Sequence, residues 1–184
     1  DDIIAKYCNN NSIIYYRGNE NNVLDRYYQT ALISNTDIIV RITSDCPLVD
    51  PEIIDDMVSQ FLKLECKIMG MDYYNNNESV HSFPDGFDCE IFTFNYLKEA
   101  YHNATFPDEK EHVSPYIRKN HCVHKYKLVL NKKYKNLDLK TTHLSLDTED
   151  DYILLQNIFN NVYKKNKNFL IEDVLKYLNN NPSL

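Results

Sequence analysis

Asp37-Ile38-Ile39-Val40-Arg41-Ile42-Thr43-Ser44-Asp45-Cys46-Pro47-Leu48-Val49-Asp50-Pro51 is the stretch that decides the fold. Its first half carries the continuous β-branched run Ile38–Val40, the pattern of a strand covered on both faces. Its second half reads as a helix start, with Asp50 as N-cap and Pro51 at the first helical position. Along the predicted helix, Ile53, Ile54, Met57, Val58, Phe61 and Leu62 fall on one face. Asp45 lies just beyond the carboxyl end of the strand, and Pro47 stiffens the turn that presents it. In an open parallel sheet, ligands bind beyond such strand ends.

Working outward, the pattern repeats. Residues 2–10 read as a short helix with Ile3, Ile4 and Tyr7 on one face, and Ser12–Tyr16 as a strand. Asn22 is placed to cap a helix whose stripe is Val23, Leu24, Tyr27, Tyr28, Ala31 and Leu32. Beyond residue 63, strands are expected over Cys66–Tyr73 and Phe87–Thr93, and a loop over 74–86. A helix follows over 94–103, then one over Asp108–Lys119 interrupted at Pro115. Two strands near 122–130 and 138–146 precede a helix whose Thr148 and Asp151 resemble a capping box. A last helix carries Ile171, Val174, Leu175 and Leu178. Short connections between alternating strands and helices imply parallel strands with right-handed crossovers. The expectation is one α/β domain over residues 1–184, with a mostly parallel sheet.

Composition narrows the function. With 43% hydrophobic and 26% charged residues, the 184-residue chain is set to fold around a substantial core. A net charge of −7 disfavours nucleic acid and anionic membrane as partners. A local basic stretch (Arg118, Lys119, Lys125, Lys127, Lys132, Lys133, Lys135, Lys140) is either a solvated face or a rim for an anionic substrate. Five widely spaced cysteines without a Cys-x-x-Cys pair argue against a disulfide scaffold and fit a reducing, cytoplasmic compartment. No apolar run reaches membrane-spanning length. No signal peptide is visible, and the chain opens on Asp1-Asp2 rather than Met. No serine elbow, Walker A loop or Gly-x-Gly-x-x-Gly occurs, which argues against three common enzyme classes.

Four clusters can carry chemistry. A carboxylate at Asp45 can hold Mg²⁺ on a phosphate or simply shape a turn. Asp147 ends the run His143–Leu146 and precedes Glu149, Asp150 and Asp151, whose place in a first helical turn the helix dipole already explains. Two strand-end carboxylates converging on one cation would form a phosphate-transfer site. In Pro84-Asp85-Gly86-Phe87-Asp88-Cys89-Glu90, a turn leads into a strand on which Asp88 and Glu90 point the same way. His112, in Glu111-His112-Val113-Ser114, can meet a carboxylate or a sugar hydroxyl, or be merely half-buried. His81, His102, His121, His124 and His143 show no metal-site spacing, and His121 with His124 could ligate zinc only with help from elsewhere.

Five motifs in order resemble the sugar-nucleotide cytidylyltransferase family, most closely its spore-coat polysaccharide branch, which is related to the acylneuraminate and 3-deoxy-manno-octulosonate cytidylyltransferases. They are Arg17–Tyr28, Val40–Pro51, Phe83–Glu90, Glu111–Ile117 and Leu146–Asp150. The resemblance implies a Rossmann-like three-layer α/β/α sandwich of the nucleotide-diphospho-sugar transferase type. It implies transfer of CMP from CTP to a sugar acid or related sugar with release of pyrophosphate, and a homodimer. By the same resemblance Asp45 and Asp147 bind Mg²⁺, Asp25 and Arg26 lie beside the nucleotide, and Asp85, Asp88, Glu90 and His112 lie near the sugar. The family opens with a strand and a Gly/Ser/Arg/Lys-rich loop that cradles the triphosphate, and this chain begins downstream of them. The expectation is that the chain lacks its N-terminal strands and is inactive or weak by itself. A sugar-nucleotide glycosyltransferase is a rival, against which Thr43-Ser44-Asp45-Cys46 stands in place of Asp-x-Asp. A truncated, non-catalytic nucleotide- or partner-binding remnant is the other.

Overall fold

The structure is a computed structural model that describes residues 1–71, 84–126 and 142–182. In chain order its elements are α1 (Asp2–Asn10), α2 (Val23–Ile33), β1 (Ile38–Ile42), α3 (Pro51–Lys63), β2 (Ile68–Met71), β3 (Cys89–Thr93), α4 (Phe94–Asn103), α5 (Pro107–His112), α6 (Pro115–Asn120), β4 (His124–Tyr126), α7 (Glu149–Ile158), a π-helical turn (Phe159–Tyr163) and α8 (Ile171–Asn179). The strands form one sheet in the order β1-β3-β2-β4. β2 pairs parallel with β4, in the register Met69 with His124 and Met71 with Tyr126. The chain divides into two compact units. Unit one is Asp1–Ile39 with Phe92–Val123, and unit two is Val40–Ile91 with His124–Leu184.

In unit one, α2 packs on α4 through aromatic rings: Tyr28 stacks on Tyr101 at a centroid distance of 4.0 Å and on Phe94 at 5.7 Å. Leu24, Ala31, Leu97, Ala100 and Ile117 are buried. Helices α1 and α2 here, and α3 in unit two, end alike. Ser12, Asn35 and Glu65 take left-handed backbone (φ 56, 49 and 50). The next N–H in each case closes the helix: Ile13 to Cys8 O, Thr36 to Ala31 O, and Cys66 to Phe61 O. Glycine would fill such positions without strain, but the chain has only 3 glycines, at 18, 70 and 86, and all three ends do without it.

That closure explains one departure from the sequence reading. Ser12–Tyr16 is not a strand, because Ser12 and the Ile13 N–H are spent on the end of α1; Ile14 is 89% exposed. The predicted apolar face of α1 also points outward, with Ile3, Ile4 and Tyr7 exposed.

In unit two, the buried strands are β2 and β3. Ile68, Met69, Met71, Cys89 and Ile91 are buried, as are Ile53, Met57 and Phe61 of α3, Leu155 and Ile158 of α7, and Val174 and Leu175 of α8. β1 is an outer strand of the four, and it alternates: Ile39 is buried while Val40 and Ile42 are more than a third exposed. A continuous β-branched run thus does not mean cover on both faces here.

Asp50 ties this unit together. It is 4% exposed. Its Oδ1 accepts the Glu52 and Ile53 N–H groups at the start of α3, and its Oδ2 accepts the Ile171 N–H at the start of α8 (2.7 Å). One carboxylate therefore caps two helices, each of which offers unsatisfied N–H groups and a positive dipole end.

The predicted 108–119 helix is two helices, broken at Val113-Ser114 just before Pro115. The expected strands near 66–73, 122–130 and 138–146 fall partly outside the described residues, as do His81, Phe83 and Lys127–Lys140 of the basic stretch. Among the described residues, no helix is long and apolar enough to cross a membrane.

Candidate active site at the strand ends of unit two

The site is built on three pieces of chain. The first is the end of β1 and its loop, carrying Arg41, Asp45 and Cys46. The second is Asp85–Glu90, leading into β3. The third is the segment 142–147, which reaches both of the others through backbone bonds: Leu144 N–H donates to Asp85 O (2.9 Å) and Leu146 N–H to Asp45 O (2.8 Å). The second bond sets Asp147 beside the loop of Asp45, a meeting that spacing alone left open.

Gly86 makes the first bond possible. Its φ is +97°, and a Cβ there would lie 2.3 Å from the Leu144 carbonyl carbon and 2.5 Å from the Ser145 nitrogen. Only glycine satisfies both the backbone and the space. The Pro84-Asp85-Gly86 signal thus marks a close approach of two backbones as well as a turn.

Carboxylates crowd around Cys46. Its Sγ lies 3.7 Å from Asp45 Oδ1, 3.7 Å from Asp88 Oδ2 and 3.2 Å from Thr43 Oγ1. Burial pushes this thiol up to about 11 and the neighbouring Cys89 thiol up to about 12, so both stay protonated at neutral pH. Burial also raises the Asp88 carboxyl, with the charges of Asp45 and Glu90 adding and the Cys46 thiol and Arg41 opposing. Glu90 pairs with Arg41 at 3.1 Å, with side chains 7% and 15% exposed. Arg41 Nε is buried and lacks a hydrogen-bond partner among the described residues.

On the third piece, His143 Nδ1 lies 2.7 Å from Asp85 Oδ2. Its Nε2 faces Ser145 Oγ (3.1 Å), Asp147 Oδ2 (3.2 Å) and Asp151 Oδ2 (3.7 Å). Buried Ser145 donates to Asp147 at 2.6 Å. Partial burial pulls His143 down, but the hydrogen bond and charge of Asp85, with the charges of Asp151 and Asp147, outweigh it and leave the imidazole above its ordinary value. Asp151 is also the capping-box residue of α7: its Oδ2 receives the Thr148 N–H at 2.7 Å, and its own N–H goes to Thr148 Oγ1. That cap is as the sequence predicts.

Of the sequence-predicted site residues, Asp45, Asp85, Asp88, Glu90 and Asp147 lie in unit two, and Asp25, Arg26 and His112 lie in unit one. Asp25 accepts from Gln29 Nε2 (3.1 Å). Arg26 lays its stem over Gly18, where a Cβ would come within 2.8 Å of Arg26 Cγ, and its Nε is buried without a partner among the described residues. His112 is exposed. The next residue, Val113, is fully buried with φ 70 and ψ −54, and Ser114 N–H bonds to His112 O (2.8 Å). This is a γ-turn of the strained hand, on a β-branched residue that strongly resists it. Strain of this kind concentrates at functional sites. Periodicity carries no signal for it.

Asp45 and Asp147 carry carboxylate oxygens on adjoining segments, the donor type that a hard divalent cation takes.

Comparison with known proteins agrees with the fold. A family model described as cytidylyltransferase matches residues 1–178. The chain is 33% identical over 187 residues to the uncharacterized protein MJ1063 of Methanocaldococcus jannaschii, covering 100% of this chain and 70% of that protein. It is 26% identical over 183 residues to the spore coat polysaccharide biosynthesis protein SpsF of Bacillus subtilis, covering 99% and 71%. A solved cytidylyltransferase structure from Leptospira borgpetersenii matches with a TM-score of 0.83 and 31% identity, covering 100% of this chain and 73% of that one.

Proposed function

Because the chain belongs to the cytidylyltransferase family, and so to the nucleotidyltransferases, we propose that the complete protein transfers CMP from CTP to a sugar acid or related sugar and releases pyrophosphate, supplying cell-surface polysaccharide synthesis. Similarity to a spore-coat polysaccharide protein supports the pathway class. The observation that supports the reading is the Leu146-to-Asp45 backbone bond, which runs the segment ending in Asp147 alongside the loop that carries Asp45.

In this reading a sugar hydroxyl attacks the α-phosphorus of CTP in line and loses its proton to solvent, the bond from that phosphorus to the oxygen bridging to the β-phosphate breaks, and pyrophosphate departs. Asp45 and Asp147 would hold Mg²⁺, which when bound supplies Lewis-acid stabilisation of the phosphate charge. Arg41 holds Glu90 in place and offsets the charge of Asp88. Asp85, Asp88, Glu90 and His112 are assigned to sugar hydroxyls, and Asp25 and Arg26 to the nucleotide. The protein is expected to work as a cytoplasmic homodimer. The test is pyrophosphate release by the full-length protein from Mg²⁺, CTP and a panel of sugars, with mass analysis of the product. A CMP-sugar is expected. Transfer of a sugar from a preformed sugar nucleotide would instead mark a glycosyltransferase.

A further inference from the structure

Ser145 is a buried polar residue whose hydroxyl has a definite task. It is 4% exposed, while His143 and Asp147, two positions to either side, are exposed. Both of its chain neighbours are tied to other segments: the Leu144 N–H donates to Asp85 O and the Leu146 N–H to Asp45 O. With both flanking peptides held, the Ser145 side chain starts from a fixed base. Its hydroxyl has one proton to donate and gives it to Asp147 Oδ2 at 2.6 Å. That length belongs to the charge-assisted O–H···O⁻ bonds, which are the strong ones.

Asp147 needs such a hold. An exposed side chain changes rotamer in picoseconds to nanoseconds unless something fixes it. Two groups meet the same oxygen: the Ser145 hydroxyl, and His143 Nε2 at 3.2 Å. Among the described residues, no hydrogen bond or ion pair reaches Asp147 Oδ1. One carboxylate oxygen is therefore held by the protein and the other is open. The serine bond is the shorter of the two, and it comes from the buried partner.

We propose that Ser145 is a positioning residue for Asp147: its buried hydroxyl holds Oδ2 and leaves Oδ1 for the divalent cation. The cation half of this rests on the reading of Asp147 as a Mg²⁺ carboxylate; the hold on the side chain does not. Carboxylates that ligate a metal are themselves hydrogen-bonded, and losing the outer partner costs roughly 10–100-fold in metal affinity or activity. Ser145 touches no reacting group, so its effect passes through Asp147 alone.

The rival account is a serine that only fills its space. The experiment compares the full-length protein with Ser145→Ala and Ser145→Cys, the second keeping a weaker donor of similar size. Metal-free samples labelled at aspartate report the Asp147 χ1 angle through side-chain couplings. One rotamer is expected in the parent and an average of several in Ser145→Ala, with melting within about 4 °C of the parent. Mn²⁺, followed by loss of its free-ion EPR signal without nucleotide, should bind Ser145→Ala at least about 10-fold more weakly. In turnover, the Mg²⁺ giving half the maximal rate should rise by a similar factor, while kcat at saturating Mg²⁺ stays within about threefold. Ser145→Cys should recover part of each loss, and it carries the test if Ser145→Ala does not fold. A single Asp147 rotamer kept in Ser145→Ala, or Mn²⁺ binding within about twofold of the parent, would overturn the proposal. If the rotamer result holds but the parent takes up no Mn²⁺ and makes no CMP-sugar, the hold on Asp147 stands and the transferase reading fails alone.

Discussion

Asp50 and Asp45 leave the same loop, yet their carboxylates meet opposite surroundings. Asp50 is buried and receives three backbone N–H groups from the starts of two helices. Asp45 is partly exposed and, among the described residues, its carboxylate accepts from no backbone N–H; a thiol stands 3.7 Å away. The same contrast separates Asp151, spent on the cap of α7, from Asp147, which accepts a serine hydroxyl and stays exposed. A carboxylate whose lone pairs are filled by helix N–H groups contributes stability. One at a strand end with lone pairs left over is available to a ligand.

Substitutions can break or sharpen that contrast. The largest loss is expected from Asp50→Ala, which strips two helix starts at once and leaves buried donors unpaired. It should cost about 3–4 kcal/mol in urea unfolding; a loss under about 1 kcal/mol would mean the double cap does little. Gly86→Ala should cost about 2–3 kcal/mol, from a left-handed backbone and a clash with the Leu144–Ser145 peptide. It should also loosen the 142–147 segment, read as faster amide exchange at Leu144 and Leu146.

Smaller effects should run the other way. Glu65→Gly is expected to stabilise by about 0.5–1 kcal/mol, because glycine takes the left-handed helix end without strain. Asp88→Asn should also stabilise in metal-free buffer at pH 7. Burial has raised the Asp88 carboxyl, so its ionised form carries a penalty in the folded state that the amide escapes. As pH falls through the folded Asp88 pKa the advantage should begin to shrink, and it should vanish only below the ordinary carboxylate value, where the unfolded chain is protonated too. An advantage that persists at low pH would place its origin elsewhere.

Much of this was legible before the structure. The Asp50-Pro51 and Thr148…Asp151 helix starts, α4, and the strand ending before Asp45 each follow from local chemistry that spacing reveals. What escaped was tertiary. Whether Leu146 reaches Asp45 depends on a bond between segments a hundred positions apart. The cover over Ile38–Val40 depends on where β1 stands in the sheet. Ser12–Tyr16 has strand composition, but its first N–H groups belong to the end of α1. The γ-turn at Val113 and the π-helical turn at Phe159–Tyr163 break local rules, so local rules do not find them. Asp85 and His143 looked unrelated until the Gly86 contact set them side by side.

The central claim is that Asp45 is a working carboxylate and Asp50 a structural one. The direct test is Asp45→Asn in the full-length protein, with stability and CTP-dependent pyrophosphate release measured on the same sample. The account predicts unfolding free energy within about 0.5 kcal/mol of the parent and a rate lower by at least about 100-fold, or about 2.7 kcal/mol. A rate within about twofold of the parent would contradict it.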